Sequence, residues 1–115
     1  MGRNDLERRT LLFSGGMLDF VFSLPAGMVR DVIGRQVLRS ATSVGANYRE
    51  ANRAASRADF INKVNIAEKE ASETAYWLEL CELKNLGDRK LCEALMREAN
   101  ELLAILVTIG RKAKS

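Results

Sequence analysis

The fold is decided by residues 60–81, FINKVNIAEKEASETAYWLELC, where small or apolar side chains recur at alternating intervals of four and three residues. This spacing is typical of one face of a helix in a bundle and differs from the strict alternation of a half-buried strand. The residues of this seam are Phe60, Val64, Ala67, Ala71, Thr74, Leu78 and Cys81. After the seam, Gly87 is a natural helix terminator and Asp88 a natural N-cap for the next helix.

The same periodicity continues on both sides of this segment. The first seam is Leu6, Thr10, Phe13, Met17, Phe20 and Leu24; the second is Ile33, Val37, Ala41, Val44, Tyr48, Ala51 and Ala55; the last is Cys92, Leu95, Ala99, Leu102, Leu106, Ile109 and Ala113. Short connections between such segments predict an all-α protein, an antiparallel up-down-up-down four-helix bundle. We expect a single domain over 1–115, with helices at about 5–23, 28–55, 57–86 and 88–112.

Local signals refine the helix ends and contacts. Asn4 with Glu7 predicts a capping box for the first helix, and Ser56 predicts an N-cap for the third. The pair Gly15-Gly16 weakens the first helix by about 1 kcal/mol per residue relative to Ala, which indicates either a close neighbour or a bend. Gly45, beside the second seam, indicates a tightly packed neighbouring helix.

Composition excludes many classes of enzyme. The chain has 115 residues and no His, so Ser-His-Asp and Cys-His catalysis, His-containing di-iron sites and Cys/His zinc sites are impossible. Glu70 and Glu73 are a conceivable carboxylate pair, but no second pair or pocket signature accompanies them, and a structural or interface role is favoured. We therefore predict no enzymatic activity, no catalytic or metal-binding residue and no cofactor.

The two cysteines and the apolar first third of the chain bear on location. Cys81 and Cys92 are placed to face each other across antiparallel helices, whose usual separation is too wide for a disulfide, so two buried free thiols are expected. The segment 10–29 imitates a signal peptide, but Asp19 and the glycines within it argue against membrane insertion. These features favour a cytoplasmic protein without a membrane partner.

The net charge of +3 is concentrated in the first half of the chain. Residues 1–57 carry nine basic and five acidic side chains, whereas 58–115 carry nine and ten. Five arginines in and just after the second helix fall within about 80° of one another, opposite its apolar face. This Arg stripe is Arg35, Arg39, Arg49, Arg53 and Arg57. It is a candidate nucleic-acid surface or, equally, a solvated face that pairs with carboxylates.

Two further surfaces complete the set of candidates. A second face of the third helix combines carboxylates with apolar groups that have no obvious burial within one bundle, which predicts a subunit contact through Ile66, Glu70, Glu73, Trp77 and Leu80. Short polar side chains on the flank of the second helix form a strip for close helix packing: Gln36, Ser40, Ser43, Asn47 and Glu50.

Taken together, residues 36–51 (QVLRSATSVGANYREA), 56–63 (SRADFINK) and 70–80 (EASETAYWLEL) resemble a bacterial family. It is the four-helix-bundle protein family encoded in intervening sequences of large-subunit ribosomal RNA genes, similar in fold to the accessory variability determinant proteins of diversity-generating retroelements. The family pattern falls on Arg39, Ser40, Ser43, Asn47, Glu50, Ser56, Asp59, Phe60, Lys63, Glu70, Glu73 and Trp77. The first helix departs from it at Gly15-Gly16.

The resemblance implies a non-enzymatic homopentamer around a central channel that binds RNA or DNA. Its retroelement relatives bind nucleic acid and a reverse transcriptase. The alternative is a protein-interaction scaffold or accessory subunit that recruits a partner such as a reverse transcriptase, with the Arg stripe used in subunit contacts.

Overall fold

The computed structural model describes residues 2–115 and consists of helices joined by short turns. The helices are α1 (Arg3–Ser23), α2 (Arg35–Asn52), α3 (Arg57–Leu83) and α4 (Arg89–Lys114). Five residues of π-helix, Arg30–Gly34, lead into α2. No strand occurs within residues 2–115, so the predicted all-α class is confirmed. Met1, part of the predicted domain, lies outside the described residues.

Two C-terminal helix ends lie three residues before their predicted positions. The second helix ends at Asn52 rather than 55 because the backbone leaves helical geometry at Arg53, where φ is −111° and ψ is 15°. The third ends at Leu83 rather than 86, because Asn85 adopts a left-handed φ of 55° and turns the chain before Gly87. At neither helix end does a Gly or Pro stand where the helical geometry stops. The prediction from sequence therefore placed both ends too late.

The contacts between neighbouring helices show that these helices run antiparallel to each other. The Thr74 hydroxyl lies 2.8 Å from that of Ser40, while Lys63 lies 3.0 Å from Glu50, so α2 and α3 are antiparallel. The same opposed order relates Glu7 and Thr10 to Asn52 and Gly45. It also relates Leu78 and Val64 to Cys92 and Gly110. The bundle measures 44 × 21 × 21 Å, one helix long and two helices wide.

The four predicted seams form the core. All six residues of the first seam are at most 2% exposed, and most of each other seam is equally buried. Ile33, Phe60, Ile109 and Ala113 are half-buried near helix ends. Ala55 is exposed because it follows the end of α2. The 4-3 spacing therefore identified the packed faces, and its errors lie at the turns.

Two of the predicted N-caps are confirmed and one is wrong. The hydroxyl of Ser56 accepts a 3.1 Å hydrogen bond from the Asp59 amide, and Asp88 accepts one of 2.8 Å from the Leu91 amide. The helix α1 begins at Arg3, and the Asp5 carboxylate accepts from the Gly2 amide instead of a box between Asn4 and Glu7. The Glu7 carboxylate instead faces the second helix.

Two glycines allow α1 to approach a neighbouring helix closely: Gly45 on α2, and Gly16 on α1 itself. A Cβ built on Gly45 would lie 3.0 Å from the Thr10 hydroxyl, so α1 and α2 approach closely there, as predicted. A Cβ on Gly16 would lie 3.1 Å from a methyl of Leu95 on α4. The helix α1 is continuous across Gly15, whose Cβ position has no neighbour within 4 Å. Of this pair, packing among residues 2–115 therefore explains Gly16 and not Gly15.

The predicted free thiols are confirmed. Cys81 and Cys92 are buried and unbonded to each other, and the Cys92 thiol donates to the Leu78 carbonyl at 3.5 Å. Within residues 2–115, the helices are too short or too polar for any of them to cross a lipid bilayer.

Candidate nucleic-acid interface

The five arginines of the Arg stripe are all exposed, but they do not share one helix. Arg35, Arg39 and Arg49 lie on α2, Arg53 caps its C-terminal end, and Arg57 is the first residue of α3. The stripe is divided because the second helix stops before Arg53. Its members consequently meet different neighbours, and the structure separates them into distinct groups.

Arg39 points towards α3 and is held by two carboxylates. Its guanidinium lies 3.1 Å from Glu70 and also pairs with Glu73. The Glu73 carboxylate accepts a further hydrogen bond of 2.9 Å from the indole N–H of Trp77. The structure thus joins one residue of the Arg stripe to three of the predicted subunit-contact residues. This group carries more negative than positive charge and is poorly suited to phosphate.

The predicted subunit-contact face is more enclosed than its sequence indicates. Ile66, Trp77 and Leu80 were expected to lack burial within one bundle, and each is half-buried. The ring of Trp77 packs against the core, and its indole N–H donates to Glu73 one turn earlier on the helix. Assignment of this face to a subunit contact stays a prediction.

Arg49 and Arg53 point towards α1 and share one carboxylate. Each has a guanidinium nitrogen 3.6 Å from Glu7, whose side chain is only 15% exposed. Asn52 donates a 2.9 Å hydrogen bond to the same carboxylate. This hydrogen bond, with the two nearby guanidinium groups, lowers the pKa of Glu7. Two cations against one anion leave excess positive charge on this side of the bundle.

Arg57 brings the C-terminal residues of the chain to the same end of the bundle. Its guanidinium donates to the carbonyl of Ala113 and, at 2.8 Å, to that of Ser115. The last turn of α4 carries Arg111, Lys112 and Lys114, all exposed. Because the bundle is antiparallel, the α2–α3 turn and the end of α4 lie together. We call this surface the basic end: Arg49, Arg53, Arg57, Arg111, Lys112 and Lys114.

A shallow cleft of about 470 Å³ opens beside the basic end between α2 and α3. Its lining combines three cations and two carboxylates: Arg49, Glu50, Arg53, Asp59 and Lys63. The ammonium of Lys63 is 3.0 Å from Glu50, so this pair is already neutralised. Among residues 2–115, Arg49 and Arg53 pair only with Glu7, at 3.6 Å, so they are the cations of this cleft best placed for an external anion. The carboxylate of Asp59, in the same lining, offsets part of their charge.

Arg35 is separated from the basic end. It lies at the start of α2, near the opposite end of the bundle, and its side chain has no hydrogen-bond or ion-pair partner within residues 2–115. The sequence-based grouping of Arg35 with Arg49 and Arg53 therefore overstates the continuity of the surface.

The polar strip lies along the contact between α2 and α3. Ser40 is fully buried, bonds the Val37 carbonyl and accepts from the Thr74 hydroxyl. Ser43 and Asn47 bond carbonyls one turn earlier on their own helix. Gln36 accepts a 3.2 Å hydrogen bond from Arg39, and Glu50 pairs with Lys63. These short side chains find partners on their own helix or on the next one, so the polar strip is satisfied where the helices pack.

Sequence reasoning missed Glu7 and Asn52 as partners of the Arg stripe. They lie 45 residues apart in the chain and meet only because α1 and α2 are antiparallel. The spacing of Glu7 from Asn4 suggested a cap, and no local pattern marked its alternative partners. Among residues 2–115, no group of three or more His, Cys, Asp or Glu side chains is arranged to hold a metal ion.

The fold and this surface define a class: small four-helix proteins with a basic end. The chain belongs to the 23S rRNA-intervening sequence protein family, whose model matches residues 22–108. This confirms the resemblance noted from the motifs of α2 and α3.

The chain is also similar to a protein of known structure. That crystal structure is of a protein with unknown function from the S23 ribosomal protein family of Bacteroides thetaiotaomicron VPI-5482, 39% identical, with a TM-score of 0.84. The alignment covers 96% of this chain and 99% of the other. No curated protein matches the chain.

Proposed function

We propose that this chain is a non-enzymatic, homopentameric nucleic-acid-binding protein of the cytoplasm, which contacts RNA or DNA phosphates through the basic end. The observation that carries the proposal is that Arg49 and Arg53 share the single carboxylate of Glu7. Their charge is only half compensated, whereas Arg39 is fully compensated by Glu70 and Glu73.

The geometry of the basic end supports phosphate binding. Arg57 draws the C-terminal turn of α4 against the start of α3, so cations from three separate segments are adjacent. Guanidinium groups suit phosphate oxygens, and several clustered cations follow a nucleic-acid backbone without reading bases. The exposed aromatic side chains Phe22 and Tyr76 are remote from this end, so stacking on bases contributes little.

Self-association would multiply this charge. Five chains of +3 give about +15 in total, which strengthens attraction to a polyanion and makes affinity fall with salt. The pentamer itself rests on the family resemblance, and the free buried thiols favour a reducing compartment such as the cytoplasm.

The test measures binding of an RNA hairpin and a DNA duplex by fluorescence anisotropy at low and high salt. Replacement of Arg49, Arg53 and Arg57 by Ala is expected to weaken binding at least about tenfold at low salt and to flatten the salt dependence. The matched control replaces Lys84, Arg89 and Lys90 by Ala, which removes the same charge near the other end of the bundle.

Equal loss of affinity in the two triple variants would contradict the proposal, because it would show a response to net charge alone. Sedimentation of the same proteins distinguishes nucleic-acid binding from the alternative, in which the arginines form subunit contacts. If the basic-end variant dissociates into monomers, the arginines act in subunit contacts, as in the scaffold alternative.

A further inference from the structure

The outer face of α1 is apolar although no other part of residues 2–115 covers it. Leu11, Leu12, Leu18 and Phe22 are 49%, 59%, 44% and 70% exposed. Gly15 lies among them, and its Cβ position has no neighbour within 4 Å. An exposed mid-helix Gly is less favourable than Ala by about 1 kcal/mol, and no contact within residues 2–115 explains it. A close neighbour from another molecule would explain both features.

Charged side chains border this apolar face at each end. Arg8 precedes the leucines and Asp19 follows them, on the same side of the helix. Both are exposed, and neither forms an ion pair with another of residues 2–115. At about 1.5 Å per residue they lie roughly 16 Å apart, too far to pair with each other in one chain.

The order of these residues along α1 allows two antiparallel copies of the helix to complement each other. Arg8 and Asp19 are equally distant from the midpoint between Phe13 and Ser14, and so are Leu12 and Gly15. An antiparallel second copy of α1 centred there would place each Arg8 opposite Asp19 and each Leu12 opposite the space above Gly15. A two-fold axis makes every such contact twice.

The remaining leucines fit the same arrangement. On the side of α1 nearer α2, Leu11 of one copy and Leu18 of the other would differ by about 3 Å in height along the helix axis, within contact range of their side chains. A groove of about 610 Å³ along this face, lined in part by Leu12, Gly15 and Leu18, gives room for an inserted side chain.

We propose that the outer face of α1 binds the same face of a second copy of this chain around a two-fold axis, with Arg8 paired to Asp19 and Leu12 packed on Gly15. The occupant is a second copy because charge and size are matched by the face itself. The contact rests on the self-association part of the proposed function and is independent of nucleic-acid binding. In a homopentameric ring, whose subunit contacts are heterologous, this two-fold contact would join one ring to another.

The test is charge exchange, followed by analytical ultracentrifugation of the full chain from about 1 to 100 µM. R8E places two acidic groups together and D19R two basic groups, so each variant is expected to weaken association at least about tenfold and to halve the mass of the assembly. The double variant R8E/D19R restores the opposed charges and is expected to recover wild-type association. K90E changes the charge as much as R8E does, at an exposed site on α4, and is the matched control for R8E.

Mixing gives a sharper result. A heterodimer of R8E with D19R has opposite charges at both positions, so the mixture is expected to associate although each variant alone does not. G15L provides an independent test. Leu has a higher helix propensity than Gly, so the monomer should unfold at a higher denaturant concentration. The new side chain also fills the space for Leu12 of the second copy, so association should weaken.

The outcomes distinguish the two proposals. If the wild-type chain associates and R8E leaves its mass unchanged, or if mixing restores nothing, the α1 contact is overturned while self-association stands. If the wild-type chain is monomeric throughout this range, self-association and the α1 contact both fail. Circular dichroism of the exposed-site variants establishes that they are folded.

Discussion

The guanidinium of Arg9 on α1 and the carboxylate of Glu98 on α4 form two parallel hydrogen bonds of 2.7 Å each. Their side chains are only 27% and 26% exposed, and Glu101 adds a third contact at 3.2 Å. Hydrogen bonding to Glu98 raises the pKa of Arg9, so the guanidinium stays protonated. This pair connects the first and last helices of the chain, where the bundle is closed.

We expect this pair to contribute measurably to stability. A two-pronged, partly desolvated Arg–carboxylate contact is stronger than an ordinary surface pair, so a double-mutant cycle with R9A and E98A should give a coupling energy of about 1–2 kcal/mol. Urea unfolding measures it. The exposed pair Arg89–Glu93 on one helix is the control and should give at most about 0.5 kcal/mol; similar values for both pairs would contradict the special role of Arg9.

Close packing of α1 on α2 should make Gly45 intolerant of larger side chains. A Cβ there meets Thr10 at 3.0 Å, so Gly45→Val is expected to lower the free energy of unfolding by about 1–3 kcal/mol. Helix propensity alone would favour Val over Gly, so the sign of the effect is informative. Ala46→Val, at the exposed neighbouring position, should cost only about 0.6 kcal/mol. A stabilised Gly45→Val protein would show that the helices separate easily.

The buried thiol of Cys92 should make stability fall in alkaline solution. Burial, together with the nearby Cys81, raises the pKa of Cys92 to about 11 from an ordinary value of 9.0. The folded state therefore keeps a proton that the unfolded state releases. The contribution of the protonated thiol to the free energy of unfolding is complete below about pH 9. As the pH rises towards 11, the free energy of unfolding should fall by roughly 2 kcal/mol.

Denaturant unfolding between pH 8 and pH 11 measures this effect, with Cys92→Ala as the comparison. The variant loses packing at every pH, but its stability should decline less steeply above pH 9. Parallel curves for the two proteins would contradict a raised pKa at Cys92.

Release of Arg49 and Arg53 from their shared carboxylate should strengthen nucleic-acid binding, if the basic end is the binding surface. Glu7→Gln removes the negative charge but retains an oxygen for Asn52. We expect affinity for an RNA hairpin to rise about threefold to tenfold at low salt, with the gain fading at high salt. Fluorescence anisotropy measures the change.

The control for this prediction is Glu93→Gln. It changes net charge equally and frees Arg89, but it lies at the start of α4, near the other end of the bundle. An equal gain of affinity from both substitutions would indicate a long-range charge effect and would count against a local site at Arg49 and Arg53.

Much of the fold could be predicted because the information is local. The spacing of Leu6, Thr10, Phe13 and Met17 defines one face of a helix, and all four are buried. Ser56 and Asp88 were identified as N-caps because a capping side chain bonds an amide only three residues away. Helix ends at Asn52 and Leu83 were misplaced, since they depend on the backbone angles of Arg53 and Asn85, and neither residue marks a helix end as strongly as Gly or Pro does.

The candidate site was predicted less well because its pairs are distant in sequence. The pattern placed Arg39, Arg49 and Arg53 on one side of a helix, but an arc of about 80° spans the reach of two neighbouring helices. Arg39 turns to Glu70 on α3, while Arg49 turns to Glu7 on α1. Arginines that differ little in angle around α2 therefore pair with carboxylates on different helices.

The sequence by itself determined an all-helical chain, the faces that pack, the free cysteines and the family. These follow from interactions within a few residues, or from motifs that can be read in order. Only the tertiary structure decided which positive charges are compensated, how far Trp77 is enclosed and where the exposed face of α1 lies. Those properties depend on distances of a few ångströms between side chains on separate helices, and Coulomb and hydrogen-bond energies change steeply over such distances.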